Sequence, residues 1–249
     1  MSYNNSPYRE IPKELEDKYN MNNKIPVFDF WINDNINNKI IWSNEYINNF
    51  INMYKPENIK NKCYVSCPYG LHPVSKLLES FEKFNVYNKN VAVVGSQTPW
   101  IEAILLNLGN NVTTIEYNVP ECNFPNLKCV NYFTNFKNTK ELYDCIITFS
   151  SIEHSGLGRY GDPLDPDGDI KTMKDIYNNL KAHGLCIWGA PVGADALSWN
   201  AHRIYGNTRL PLMFENFKEI EWFGDKETLL NLHTTKDAVY QPVVVLKKI

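Results

Sequence analysis

The chain has 249 residues, enough for one large domain or a domain with a cap. Its 43% hydrophobic and 13% aromatic content can bury a sizeable core, which excludes global disorder. The formal net charge of −3 supplies no overall basic field for a nucleic acid.

In chain order, residues 1–62 are polar and Asn-rich. They carry two stretches of irregular helical character, Pro12–Tyr19 and Asn44–Met53. They are expected to form an N-terminal extension packed on a domain spanning 63–249. Cys67-Pro68-Tyr69-Gly70 and His72-Pro73 punctuate the chain. A helix follows over Val74–Phe84, with Val74, Leu77, Leu78 and Phe81 on one face.

The pattern then becomes regular. Val91–Val94 is a short continuous apolar run ending at Gly95, as in a fully buried parallel strand. Thr98-Pro99 is expected to open a helix, with Thr98 as N-cap and Pro99 at the first helical position. Ile101, Ile104, Leu105 and Leu108 form its apolar stripe, and Gly109 stops it. Val112–Ile115 is a second strand, ending at Glu116, and Lys128–Val130 reads as a short third. Tyr143–Phe149 is a fourth, ending at Ser150-Ser151. After a Gly/Pro/Asp-rich loop, Ile170–Lys181 is expected to be helical, broken by Gly184 before a fifth strand, Leu185–Trp188. Phe217–Trp222 alternates like a half-buried strand, and Tyr240–Leu246 is the last. Repeated strand–helix alternation predicts an α/β fold with a parallel, doubly wound sheet.

No apolar run approaches the roughly 20 residues that span a bilayer, so no membrane partner is expected. The polar segment Met1–Glu10 lacks a signal-peptide apolar region. The six cysteines, Cys63, Cys67, Cys122, Cys129, Cys145 and Cys186, show no C-x-x-C pairing or zinc-type spacing. A reduced, cytoplasmic protein is the simplest reading.

In an open parallel sheet, ligands bind beyond the carboxyl ends of the strands, near the switch in strand order. The first strand runs into Gly95-Ser96-Gln97-Thr98, where a glycine lets backbone approach a ligand. Glu116 lies 21 residues beyond Gly95, close to the spacing of about 20 expected for an acid that accepts ribose hydroxyls. Together they point to a nucleoside-cofactor site. A full G-x-G-x-x-G is absent, which speaks against a pyrophosphate-binding dinucleotide site.

The run VAVVGSQTPWIEAILLNLGNNVTTIEYN resembles the first two motifs of class I S-adenosylmethionine-dependent methyltransferases. DCIITFSSIEHSG resembles their fourth-strand motif, and LKAHGLCIWGAP the helix–Gly–strand segment after it. More narrowly, SIEHSGLGRYGDPLDPDGD and WNAHRIYG resemble the methyltransferase-like Caenorhabditis domain of unknown function 268. The resemblance covers about residues 74–249. It implies a Rossmann-like, mostly parallel seven-stranded sheet with a reversed C-terminal strand, and S-adenosylmethionine as cofactor.

On that resemblance Gly95, Ser96 and Gln97 line the methionine part of the cofactor. Glu116 binds the ribose and Tyr117 lies beside the adenine. Ser150 and Ser151 stand at the fourth-strand tip near the transferring methyl. His154 and His202 are candidate bases, since a neutral histidine accepts a proton near physiological pH, and Glu153 is a third. Arg159, Tyr160, Arg203 and Tyr205 are read as a polar, aromatic wall for the acceptor. Asp162, Asp165, Asp167 and Asp169 read first as a turn with Asp-Pro steps and an Asp helix cap. Asp162 and Asp165 are also candidate ligands of a divalent metal.

The expected activity is O-methylation of a sugar or other small polyhydroxy acceptor in glycan biosynthesis. Two departures keep rivals open. GSQTP replaces a multi-glycine loop, and no acidic residue ends the third strand. A methyltransferase-fold binding protein without catalysis, and a nicotinamide-dependent oxidoreductase, are the alternatives.

Overall fold

The computed structural model describes residues 8–34, 39–62, 71–140, 142–232 and 240–249. Cys63, Cys67 and the Cys67–Gly70 punctuation lie outside the described residues. The N-terminal part holds α1 (Glu16–Tyr19), β1 (Val27–Phe30), β2 (Ile41–Trp42), α2 (Asn44–Met53) and α3 (Pro56–Lys60). Next come α4 (Leu71–Lys83), β3 (Asn90–Val94), α5 (Trp100–Asn107), β4 (Asn111–Glu116), β5 (Glu121–Cys122) and β6 (Leu127–Asn131). The second half holds β7 (Tyr143–Phe149), α6 (Gly168–Asn179), β8 (Leu180–Gly189), β9 (Ala196–Asn200) and β10 (His202–Ile204). It ends with α7 (Leu210–Phe214), β11 (Phe217–Phe223), α8 (Lys226–Leu230) and β12 (Val243–Lys248).

Among the described residues the main sheet has seven strands, ordered β11-β12-β8-β7-β3-β4-β6. The β8-β7-β3-β4-β6 strands are parallel, and β12 runs antiparallel to both its neighbours. This is the expected Rossmann-like sheet with a reversed C-terminal strand. Two-residue alternation sorts its side chains into two layers. Val91, Val93, Cys145 and Ile147 join a core with α4 and α5. Ala92, Val94, Ile146 and Cys186 join a second core with α6 and α7. Burial on both faces explains why Val91–Val94 of β3 reads as a continuous apolar run.

The N-terminal residues share this architecture. Ser43 caps α2 by accepting from Tyr46 N, and Ile47 of α2 enters the α4–α5 core with Trp42 and Tyr54. β1 pairs in parallel with β9, and β10 pairs antiparallel with β9, forming a separate three-stranded sheet. β2 pairs with β5. These smaller sheets join segments far apart in sequence, so no local periodicity announces them.

Several boundaries differ from expectation, three of them for a visible reason. α5 begins at Trp100, one residue late, because Trp100 N donates to Thr98 O and Pro99 keeps a non-helical ψ of 44°. Thr98 therefore does not cap the helix. α6 ends at Asn179, and β8 starts at Leu180, before the expected break at Gly184. Its register with β7 jumps from Tyr143↔Leu180 to Cys145↔Leu185, so Lys181–Gly184 bulge out with His183 at φ 62°. β12 starts after Pro242, which has no N–H for the ladder. Among the described residues no helix is long and apolar enough to cross a membrane.

A buried ionic cluster ties α6, β10 and α7 together. Asp169 accepts from Arg209 Nε at 2.8 Å and Nη2 at 2.6 Å, and from Tyr205 Oη at 3.0 Å. Arg203 Nε lies 3.6 Å from the same carboxylate. Burial alone would raise the Asp169 pKa, but Arg203 and Arg209 outweigh it and hold the carboxyl below its usual range. Deleting one partner of such a cluster strands the other charges without compensation. Asp169→Ala should therefore cost about 3–5 kcal/mol in urea denaturation at neutral pH. A depressed folded pKa stabilises above the unfolded value and loses that stability as pH falls through the folded one. The difference between wild type and variant should persist down to about pH 4 and shrink only below it.

Candidate active site

The strand order reverses about β3: the chain passes to β4 on one side and to β7 on the other. A cleft with a cavity volume of about 120 Å³ opens beyond the carboxyl ends of these strands.

Its floor is set by one close approach. Gly95 has φ +83°, and a Cβ there would lie 1.7 Å from Ser151 Oγ and 2.4 Å from Ser151 Cβ. Only glycine fits both the dihedral and the space. Gly95 N donates to Ile115 O at 3.0 Å, pinning the loop to β4. The loop then aims Ser96 N at Glu116 Oε1, while Glu116 Oε2 accepts from Tyr117 N at 3.1 Å. Burial pushes the Glu116 carboxyl up to about 7, against the two backbone N–H groups that favour its anion.

All seven expected cofactor residues, Gly95, Ser96, Gln97, Glu116, Tyr117, Ser150 and Ser151, line this one cleft. Tyr117 stacks on Phe133 at 5.1 Å and meets Tyr132 edge-on at 5.3 Å. Ser150 sits at the tip of β7 with φ 51°, a left-handed conformation rare for a serine. Its hydroxyl accepts from Gln241 Nε2 at 3.1 Å.

Of the candidate bases, His154 lines the cleft and Glu153 lies buried behind it. His154 Nδ1 is 2.6 Å from Ala201 O. A carbonyl only accepts, so Nδ1 carries the hydrogen and the neutral ring keeps its lone pair on Nε2. Burial first, then the Arg159 guanidinium, hold the His154 pKa well below its ordinary value. Glu153 Oε1 is 3.6 Å from Nε2, too far for a hydrogen bond, and Glu153 Oε2 has no partner. Burial raises the Glu153 carboxyl to about 7. His202 is not in the lining; its ring meets Phe30 edge-on at 6.0 Å.

The expected acceptor wall divides. Tyr160 lines the cleft with Arg159 stacked over its ring at 5.0 Å. Arg159 is itself paired with Asp34 at 2.7 Å. Arg203 and Tyr205 lie elsewhere. Two residues apart, they face inward together, toward Asp169. Arg203 also donates to Ser155 O at 2.7 Å and Pro166 O at 3.2 Å, holding up the loop after β7. Both are buried and absent from the lining.

The acidic loop gathers no metal ligands. Asp162 Oδ2 accepts from Gly156 N at 2.7 Å and Oδ1 from Tyr160 N at 3.3 Å, so its carboxylate braces the loop. Asp165 pairs with Lys171 at 2.6 Å. Among the described residues no group of three His, Cys, Asp or Glu could hold a metal ion.

Glu102 and Asp34 escaped the sequence reading. Asp34 reaches the cleft from the N-terminal segment, through a contact 125 residues apart in sequence, which leaves no local signal. Glu102 did leave one. It is the single charge in the otherwise apolar start of α5, WIEAILL, and is fully buried beneath Ser96.

Residues 88–249 match the family model described as Caenorhabditis protein of unknown function, DUF268. The chain belongs to this family. No curated protein matches it. Among solved structures, this DUF268 member is similar to the Burkholderia thailandensis 1,6-didemethyltoxoflavin-N1-methyltransferase, which was solved with S-adenosylhomocysteine bound. The TM-score is 0.53 at 11% identity, covering 89% of this chain and 99% of that one. It is also similar to TehB from Haemophilus influenzae, with a TM-score of 0.51 at 14% identity, covering 78% and 67%. The DUF268 chain thus has the Rossmann-like fold of class I methyltransferases.

The contact between Gly95 and Ser151 yields a two-step prediction. Gly95→Ala adds a left-handed φ cost of about 1–2 kcal/mol and a collision. Adding Ser151→Gly removes the atoms at 1.7 and 2.4 Å. Chemical denaturation should therefore show the double variant more stable than Gly95→Ala alone, with only the φ cost left. Equal stability would mean the two tips do not touch.

Proposed function

We propose that this protein is an S-adenosylmethionine-dependent O-methyltransferase acting on a sugar or another small polyhydroxy acceptor in glycan biosynthesis. The observation that carries the reading is the pair formed by the Gly95 turn and Glu116. A loop without room for a side chain faces a carboxylate at the next strand tip. The cofactor lacks a pyrophosphate, so a single glycine suffices, which weighs against a nicotinamide dinucleotide. The bound S-adenosylhomocysteine of the Burkholderia enzyme supports the same assignment.

When bound, S-adenosylmethionine supplies an electrophilic methyl group. Glu116 holds the ribose hydroxyls, Tyr117 flanks the adenine, and Gly95 to Gln97 border the amino-acid end. Aligning an acceptor oxygen in such a site contributes much of the rate. His154 takes the hydroxyl proton at Nε2, the nitrogen left open by the Nδ1 contact to Ala201 O. Glu153 stands 3.6 Å from that nitrogen, and the contact of Nδ1 to Ala201 O orients the ring. Asp34, Glu116 and Asp162 line the cleft, and no Lys or Arg does among the described residues. Such a surface suits an uncharged hydroxyl compound over a phosphorylated one.

Calorimetry with S-adenosylhomocysteine, S-adenosylmethionine and NAD tests the cofactor. Binding of the first two is expected, with Glu116→Ala weakening S-adenosylhomocysteine by about 1–3 kcal/mol. Preference for NAD, or no binding at millimolar ligand, would end the proposal. His154→Ala should keep that affinity and lose about 10²–10⁴ in turnover with a hydroxyl acceptor. Because the His154 pKa is depressed, the wild-type acid limb should fall below the ordinary histidine range. An unchanged rate in His154→Ala would remove it as the base.

A further inference from the structure

We infer that Glu102 is a positioning residue which, in its neutral form, latches Ser96 and so shapes the loop that borders the cofactor. The inference rests on the cofactor reading above. It starts from a proton count. Ser96 Oγ lies 2.9 Å from Thr98 O and 3.0 Å from Glu102 Oε2. The hydroxyl of Ser96 has a single hydrogen and cannot donate to both acceptors. The two contacts are hydrogen bonds at once only if Glu102 Oε2 carries a proton and donates it to Ser96. The other oxygen, Oε1, accepts from Thr114 Oγ1 at 2.8 Å, so the carboxyl is fully used in the neutral state.

The surroundings agree. Glu102 is fully buried, and no cation among the described residues pairs with it. Its titratable neighbours are Glu116 on β4, which disfavours its anion, and Cys122 and Cys129 on β5 and β6, which stay uncharged thiols. Its place in the first turn of α5 favours the anion, but burial outweighs that and raises the carboxyl to about 7. A glutamate at this helix position ordinarily reaches back to the N-cap N–H. Here the N-cap is Pro99, which has none, so the carboxyl is free to take Ser96. Ser96 is thereby held from both sides, its side chain by Glu102 and its N–H by Glu116.

Glu102→Gln keeps both contacts without a proton: the amide donates to Ser96 and its oxygen accepts from Thr114. Melting temperatures of wild type and Glu102→Gln should be compared from about pH 4 to about pH 9. A raised folded pKa stabilises below the unfolded value, about 4.3, and that stability is lost as pH rises from there through the folded one. The two proteins should therefore melt together near pH 4, with wild type falling below Glu102→Gln as pH rises to about 7 and staying below it beyond. Parallel curves would overturn the neutral latch, and this arm needs no ligand. In the second arm, S-adenosylhomocysteine affinity is measured at about pH 6. Ser96→Ala and Glu102→Ala should weaken it about three- to tenfold, and Glu102→Gln should restore it to within about twofold. If Glu102→Gln is as weak as Glu102→Ala, the positioning role is wrong. If Glu102→Ala fails to fold, Ser96→Ala and Glu102→Gln still decide. Wild type that binds no S-adenosylhomocysteine would overturn the cofactor reading, and with it the positioning role. The melting curves would still decide the protonation of Glu102.

Discussion

The tips of β3 and β7 touch. Gly95 and Ser151 approach so closely that no Cβ fits between them, and the other features of the cleft follow from that contact. With the crevice closed at its base, the free space lies outward, between Glu116 and Tyr117 on one side and His154 and Tyr160 on the other. The same left-handed turn at Gly95 directs Ser96 N to Glu116. The usual strand-switch crevice of an open parallel sheet becomes a cleft with a carboxylate at one wall and a neutral imidazole at the other.

The second organising element is the division of labour among charged residues. Basic side chains here are structural. Arg203 and Arg209 spend their donors on Asp169 and on carbonyls of the loop after β7, including Ser155 O and Pro166 O. Those carbonyls have no ladder or helix to satisfy them, and a buried orphan would cost stability. Arg159 is neutralised by Asp34. What remains at the cleft surface is acidic and aromatic. Two buried guanidinium groups hold the loop that carries His154 from beneath.

The strand tips were legible in the sequence because each strand is a short run rich in apolar and β-branched residues that ends in a small or polar residue. Val91–Val94 before Gly95 is unbroken, while Val112–Ile115 before Glu116 holds Thr113 and Thr114, and Tyr143–Phe149 before Ser150 holds Asp144 and Thr148. Position along such a run is enough to put Gly95, Glu116 and Ser151 in one place. The acceptor side was less legible, because it depends on which face of β10 points inward. Arg203 and Tyr205 turn toward Asp169, while His202 turns toward Phe30. That choice is made by a buried carboxylate more than thirty residues earlier in the chain. Asp34 was hidden for the same reason: it arrives through the pairing of β1 with β9, which no periodicity encodes. The Asp162–Asp169 run was legible as a turn, and its members serve that turn, a surface ion pair and a buried cluster, not the metal that Asp162 and Asp165 also suggested.

The central claim is that Glu116 and the Gly95 loop hold a nucleoside cofactor at the β3–β4 tips. A crystal structure of the protein soaked with S-adenosylhomocysteine tests it most directly. The account predicts the ribose hydroxyls on the Glu116 carboxylate and the amino-acid end along Gly95 to Gln97, with His154 facing the sulfur side. A ligand bound elsewhere, or one whose ribose avoids Glu116, would contradict it.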